Sequence, residues 1–115
     1  MSETMSSVDL RALVDELLSL AATEHSGRAT RVFRAVPGGS LSQVLLVLRA
    51  GAELSEHENP GEALLHVLRG RVRFTAGGAA LELGADEHLV IPQQRHHLLA
   101  MEDAAVLLTV VKAHS

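Results

Sequence analysis

Two hydrophobic periodicities divide the chain, and the first predicts a helix near its start. Over residues 8–24, apolar side chains recur every three or four positions, and most charged side chains fall between them. This spacing is typical of an amphipathic α-helix, for which Ser6 or Ser7 is the expected N-cap and Gly27 the expected end. The apolar stripe consists of Leu10, Leu13, Val14, Leu17, Leu18 and Ala21.

After the helix the pattern changes to short apolar runs, separated by glycine or proline about every ten residues. This rhythm is typical of an all-β barrel or sandwich. The predicted strands cover 28–36, 42–50, 53–57, 63–69, 71–76, 79–83, 88–91, 95–101 and 105–112. We therefore expect one domain, with a tail and helix at 1–27 and an antiparallel β-barrel at 28–115. The side chains expected to face inward include Val47, Leu65, Val67, Phe74, Leu81, Leu83, Val90 and Leu107.

One hairpin of this barrel can be set in register from the sequence. If Gly77-Gly78 forms a two-residue loop, Ala76 pairs with Ala79. Counting back along both strands pairs apolar residues on one face, and pairs Arg73 with Glu82 on the other. The register is self-consistent, because apolar meets apolar and a cation meets an anion.

Composition narrows the classes of function. The chain has 115 residues, enough for one domain, and 47% of them are hydrophobic. It has no cysteine, which excludes thiolate nucleophiles and cysteine-ligated metal centres and leaves seven histidines as soft-metal ligands. A net charge of −4 and only two aromatic residues disfavour nucleic-acid and anionic-membrane partners. No run is apolar enough for a membrane span and the polar start lacks a basic signal region, so we expect a cytoplasmic protein.

Residues 51–97 resemble the cupin superfamily, a family of small β-barrels built on two motifs. GAELSEHENPGEALLHVLRG matches the first motif at Gly51, at His57 and at the closing Leu-Arg-Gly. GADEHLVIPQQRHH matches the second motif at Pro92 and His97, with a glutamine where the family has its second glycine. The resemblance covers about half of the chain directly. It implies a single antiparallel, jelly-roll-like barrel of the cupin type, preceded here by one helix.

The same resemblance implies where a metal would be held. In the family, two histidines and a glutamate of the first motif and a histidine of the second bind the metal. Here His57 and His97 occupy the first and last of these positions, whereas Asn59 and Ala63 occupy the other two. Two imidazoles hold a divalent ion weakly, since well-held sites offer at least three protein ligands. A slip that brings Glu62 to position 63 would complete a two-histidine, one-carboxylate set.

The resemblance implies that His97, at the start of a strand after the Pro92 loop, faces inward. Strand alternation then turns His96 outward. The resemblance then implies that His97 meets His57 across the barrel, with Asn59 beside them. Alanine at position 63 should leave open space where the family has a carboxylate.

Two functions remain open at this point. The first is a barrel that binds a small molecule through His57, Asn59 and His97, without catalysis and with a weakly held zinc, iron, nickel or manganese ion or none. The alternative is a metal-dependent cupin enzyme of oxygenase or isomerase type that acts on a small polar substrate. The resemblance also implies a homodimer, and strands that are apolar on both faces, such as 43–48 and 106–111, support this because each face needs a cover.

Overall fold

The computed structural model describes residues 5–57 and 61–111, and the side chains of Glu56 and His57 lie outside that description. Over these residues the chain forms one helix followed by nine strands. The elements are α1 (Leu10–Thr23), β1 (Arg28–Ala35), β2 (Leu41–Leu48), β3 (Glu53–His57), β4 (Ala63–Arg69), β5 (Arg71–Ala76), β6 (Ala79–Gly84), β7 (His88–Val90), β8 (His96–Ala100) and β9 (Ala104–Val111). Each predicted strand is present, with ends that differ by at most two residues; position 112 lies outside the described residues.

The described strands form two antiparallel sheets. The first, sheet A, has the order β1-β2-β9-β4-β7, and the second, sheet B, has the order β3-β8-β5-β6. Chain neighbours such as β4 and β5 lie in different sheets, which gives the two-layer arrangement of a jelly roll. The predicted antiparallel all-β fold with one helix is confirmed, in the form of two facing sheets rather than one continuous closed barrel.

The helix begins and ends inside the predicted limits. Its N-cap is Asp9, whose carboxylate accepts a hydrogen bond from the backbone N–H of Ala12, so the expected capping by Ser6 or Ser7 was wrong. Aspartate caps as well as serine does, and the apolar stripe alone does not distinguish among three neighbouring candidates. The helix ends at Thr23, one turn before Gly27.

Two apolar clusters stabilise the described part of the fold. The interior core lies between the sheets and contains Leu46, Leu48, Ala63, Leu65, Val67, Val72, Phe74, Leu83, Ile91, Leu98, Ala100, Ala104 and Val106. The helix-side core lies on the outer face of sheet A and contains Val14, Leu17, Ala21, Leu45, Val47 and Ala105. Strand β2 therefore serves both cores, since alternate residues point to opposite faces.

Four of the eight side chains that were predicted to face inward lie outside the interior core. Val47 belongs to the helix-side core, and Leu107 pairs with Leu45 on that same outer face. Val90 pairs with exposed Leu64 on the outside of sheet A and is 70% exposed. Leu81 pairs with Phe74 but is 56% exposed, because β6 is an edge strand. The prediction is confirmed for Leu65, Val67, Phe74 and Leu83.

The register predicted for the β5–β6 hairpin is confirmed at every pair from Ala76–Ala79 to Val72–Leu83. Arg73 lies opposite Glu82, as expected, but the Glu82 carboxylate forms its ion pair with Arg71, at 3.2 Å from Nε. The long arginine side chain reaches the diagonal neighbour, a contact that backbone register does not determine.

Burial of the helix stripe gives a first prediction. We expect Leu17→Ala to lower the free energy of unfolding by about 2–4 kcal/mol, because it leaves a cavity in the helix-side core. Leu20→Ala is the matched control: Leu20 is exposed on the same helix, and its loss should cost less than about 1 kcal/mol. Urea unfolding of both variants measures the difference, and equal losses would mean that α1 does not dock as described.

Candidate functional site

Among the side chains that the structure describes, the imidazole of His96 is the one that enters the interior. Among the described residues His96 is the one polar side chain that is buried, with 5% of its surface exposed. Its ring stacks on Phe74 with centroids 5.2 Å apart and an interplanar angle of 21°. Its Nδ1 lies 3.0 Å from the backbone oxygen of Gln94. Since a carbonyl oxygen only accepts, Nδ1 carries a hydrogen and donates it to the Gln94 carbonyl.

His97 faces the opposite way from His96, so the predicted orientations of these two residues were wrong. Its Nε2 lies 3.3 Å from a carboxylate oxygen of Glu53 on the neighbouring strand, and the side chain is partly exposed. In β8 the buried positions are His96, Leu98 and Ala100, which all belong to one alternation. Residues 96–99 are two histidines followed by two leucines, so each face of β8 receives one histidine and one leucine. The sequence pattern therefore does not indicate which of the two faces is buried.

The predicted partner His57 ends β3, and the backbone register places it opposite His96 across the β3–β8 ladder. The two histidine positions therefore meet at the end of sheet B, although the side chain of His57 lies outside the described residues, as does Asn59 entirely. Glu62 is exposed just before β4, where its backbone oxygen accepts a hydrogen bond from Val111. Ala63 is buried in the interior core.

The interior is filled by its own side chains. The cavity next to His96 has a volume of about 20 Å³, room for about one water molecule. Ala63 does not line this cavity, and the open space expected beside it stays a prediction. Its apolar lining consists of Leu46, Leu54, Leu65, Phe74, Ile91, Leu98, Leu108 and Val110.

A larger space, the Phe74 cleft, also has Phe74 in its wall. It has a volume of about 260 Å³, and its walls come from the β5–β6 hairpin, β7 and the loop before β8. Its lining consists of Phe74, Ala76, Ala79, Ala80, Leu81, Leu89, Pro92 and Gln94. Phe74 lines both spaces, and Gln94 lines the cleft while its carbonyl holds His96. The exposed Leu81 thus forms part of a concave apolar surface.

Sequence reasoning missed this constellation of Phe74, Gln94 and His96. The spacing from Pro92 directed attention to His97, and nothing in the local pattern connects Phe74 of β5 with Gln94, twenty residues later. The hairpin register contained a partial signal, because it already paired Phe74 with Leu81 across β5 and β6.

Two other histidines, His66 and His88, lie together on the outer face of sheet A. They oppose each other in the β4–β7 ladder with ring centroids 6.0 Å apart, and Nε2 of His66 lies 3.6 Å from a carboxylate oxygen of Asp86. Within residues 5–57 and 61–111, no three histidine, aspartate or glutamate side chains are grouped to hold a metal ion. No helix in the described part of the chain is long and apolar enough to cross a membrane.

Comparisons with known proteins agree with this architecture. A family model described as "Cupin domain" matches residues 44–111. Among solved structures, the conserved SPY1581 protein of unknown function from Streptococcus pyogenes is 26% identical, with a TM-score of 0.69 and 80% of each chain covered. A cupin superfamily protein from Desulfitobacterium hafniense is 17% identical, with a TM-score of 0.71 over 82% of this chain and 88% of that one.

A third solved structure, KdgF from Halomonas sp., is 20% identical, with a TM-score of 0.69 over 80% of this chain and 85% of that one. At 17% and 20% identity, these likenesses show the fold and not the activity. No curated protein matches the sequence.

Proposed function

The chain belongs to the cupin family, and from that premise we propose that it is a non-catalytic binding module for a small, mainly apolar molecule that carries one polar group. The apolar part of the ligand lies in the Phe74 cleft, and its polar group is directed toward His96. The observation that carries this proposal is the placement of His96, a buried imidazole in an otherwise apolar interior, separated from an open apolar cleft by a single aromatic ring.

The size and lining of the cleft define the class of ligand. Drug-sized ligands occupy pockets of about 300–1,000 Å³, so a cleft of about 260 Å³ fits a smaller molecule. Its lining is mostly alanine, leucine, proline and phenylalanine, with the Gln94 amide as a polar contact. A binding site of this kind gains affinity from apolar burial and orientation from a few polar groups.

A tightly held metal does not fit the described interior. His96 is the one nitrogen ligand that these side chains offer, whereas His97 faces outward and Glu62 is exposed. A catalytic zinc site uses three protein ligands. The predicted set of His57, His97 and Glu62, with Asn59 beside it, stays a prediction, because the side chain of His57 and all of Asn59 lie outside the described residues. The burial of His96 favours it over His97 as the inner histidine.

A metal-dependent enzyme is the second candidate, and one observation favours it. The ladder places positions 57 and 96 opposite each other, so two histidines of adjacent strands meet at one end of sheet B. Elemental analysis of protein purified without a histidine tag separates the two functions. We expect well under one zinc, iron, nickel or manganese ion per chain. One ion per chain, lost in His96→Phe and retained in His97→Phe, would contradict the metal-free binding module and favour the enzyme candidate.

The binding proposal is tested with benzoate, a probe with an apolar ring and one anionic group. We expect benzoate to shift the methyl NMR signals of Ala76, Leu81 and Leu89. His96→Phe keeps an aromatic ring against Phe74 but removes both nitrogens, and should weaken benzoate binding about 10-fold or more, the value of one hydrogen bond to a charged group.

The matched control is His97→Phe, the same change at the neighbouring residue on the opposite face, which should alter binding less than about twofold. The proposal fails if benzoate leaves the cleft methyl groups unshifted, or if the two substitutions weaken binding equally. Thermal unfolding of both variants checks that the fold is retained.

A further inference from the structure

Two histidines lie together on the outer face of sheet A, away from the interior. In β4 the side chains of Leu65 and Val67 are buried in the interior core, so His66 between them points to the opposite face. His88 lies directly opposite His66 in the β4–β7 ladder, which places its side chain on that same outer face. His66 and His88, the outer histidine pair, are therefore separated from His96 by the sheet itself.

One nitrogen of the outer histidine pair is buried without a hydrogen-bond partner. It is Nε2 of His66, and among the described side chains it is the one buried polar atom that lacks a partner. A carboxylate oxygen of Asp86 lies 3.6 Å away, which is too far for a hydrogen bond. Buried polar groups are paired in the great majority of cases, so an exception such as this nitrogen requires an explanation.

The gap between His66 and Asp86 has the width that a metal ion requires. Zinc binds imidazole nitrogen and carboxylate oxygen at about 2.1 Å, so two such ligands at a tetrahedral angle lie about 3.4 Å apart. The 3.6 Å between Nε2 and the carboxylate oxygen is close to this spacing. An ion between the two atoms would give the buried nitrogen the partner that it lacks.

The backbone holds Asp86 beside His66. Asp86 has a φ of +68°, a left-handed conformation that aspartate adopts more readily than most residues. Its N–H donates to the carbonyl of Val67 at 2.7 Å, and the N–H of Val67 donates to the carbonyl of Glu87 at 2.9 Å. These two hydrogen bonds fix the turn to the residue that follows His66. The carboxylate thus stays near the imidazole, although its side chain is 89% exposed.

His88 supplies the third group. The two rings of the outer histidine pair have centroids 6.0 Å apart and planes that meet at 81°. With the side chains as they stand, His66, Asp86 and His88 do not converge on one point. His88 is exposed, so its ring turns between side-chain rotamers without disturbing either core. One such turn directs a ring nitrogen toward the gap between His66 and Asp86.

From this arrangement we propose that His66, Asp86 and His88 form a surface site for a divalent transition-metal ion such as Zn²⁺. Imidazole and carboxylate ligands together suit zinc, nickel and copper, whereas Mg²⁺ prefers oxygen ligands alone. Two of the three side chains are exposed, so the ion is held weakly and is released during purification. The site therefore agrees with the low metal content expected of the purified protein, and it does not depend on the proposed function.

A bound ion connects the edge of sheet A to a wall of the Phe74 cleft. β7 is three residues long, and within the described sheet it pairs with β4 alone. His88 begins β7, and the next residue, Leu89, lines the cleft. A metal bridge from β4 to β7 thus adds a link where the ladder is shortest. Since an ion that binds the folded chain stabilises it, we expect Zn²⁺ to raise the Tm of the wild-type protein.

Calorimetric titration of the full chain with ZnCl₂, without a histidine tag, tests the site. We expect one Zn²⁺ ion per chain to bind with a Kd below about 1 mM, and Mg²⁺ not to bind. His88→Asn should weaken Zn²⁺ binding at least about 10-fold and abolish the rise in Tm, since even the outer partners of metal ligands contribute this much. Asp86→Asn, which keeps the left-handed backbone accessible, should weaken binding about 10-fold. Both side chains are exposed, so the fold is retained, which circular dichroism verifies.

The matched control is His97→Asn. His97 also lies 3.3 Å from a carboxylate oxygen, that of Glu53, but it faces Thr75 rather than a second histidine in its ladder with β5. Its substitution should change the affinity for Zn²⁺ less than about twofold. A wild-type chain that binds no Zn²⁺ at 1 mM would overturn the proposal, as would equal affinity of the wild type and His88→Asn. Binding lost in His96→Phe but kept in His88→Asn would place the ion at the end of sheet B, and would also overturn it.

Discussion

Replacing Gly70 by alanine is expected to lower the free energy of unfolding by about 3–5 kcal/mol, or to prevent folding altogether. Gly70 connects β4 of sheet A to β5 of sheet B and has a φ of +79°, which side chains rarely adopt. A Cβ atom there would lie 2.2 Å from the backbone oxygen of Asp103 and 2.9 Å from Cα of Ala104. Ala104 is fully buried in the interior core, so this backbone cannot move aside without disturbing both sheets.

The matched control for Gly70 is Gly78 in the β5–β6 turn. It has a φ of +83°, but a Cβ atom there meets no atom within 4 Å. Gly78→Ala therefore includes the backbone strain without the collision, and should cost about 1–2 kcal/mol. Urea unfolding of both variants separates the two contributions. Equal losses would show that the chain around Asp103 adapts, and that the close approach of β4–β5 to β9 is not rigid.

Phe74→Ala is expected to have the second large effect, a loss of about 3–5 kcal/mol in the free energy of unfolding. Phe74 is buried between the cavity and the Phe74 cleft, and its ring is the surface against which His96 stacks. Its removal leaves a cavity and also takes away the aromatic contact of a buried imidazole. The loss should therefore reach the upper part of the range for a buried aromatic residue.

Leu81→Ala is the control for Phe74, because Leu81 lies directly opposite it in the hairpin but is mostly exposed. It should cost less than about 1 kcal/mol. Thermal or urea unfolding gives the comparison. A loss below about 1 kcal/mol for Phe74→Ala would contradict the description of this ring as the partition between the interior and the cleft.

Local pattern was enough to predict the elements of this protein. The helix stripe, the glycine and proline punctuation and the β5–β6 register each depend on residues within about twenty positions of one another, and all three are present in the structure. The helix cap differed because Asp9 competes with two serines of equal capping strength. The fold class was predicted from the resemblance to the cupin superfamily, which rests on two separated motifs in the expected order and spacing.

The sequence predicted the strands better than it predicted the face of the sheet on which each side chain lies. Val47 and Leu107 are as apolar as their neighbours in strands that are covered on both sides, so alternation gives no contrast from which to choose a face. Sheet A has the interior core on one side and α1 on the other, and this sandwiching appears only when the helix has docked.

The candidate site shows the same division most clearly. The sequence by itself determined that histidines would lie at the end of β3 and the start of β8, and that the family's second histidine and glutamate are replaced by Asn59 and Ala63. Tertiary structure alone decided that His96 rather than His97 enters the interior, where Phe74 of β5 stacks on it and the Gln94 carbonyl orients it. The physical reason is register: a shift of one residue exchanges the two faces of a strand, and only packing of Leu98 and Ala100 into the interior core selects between them.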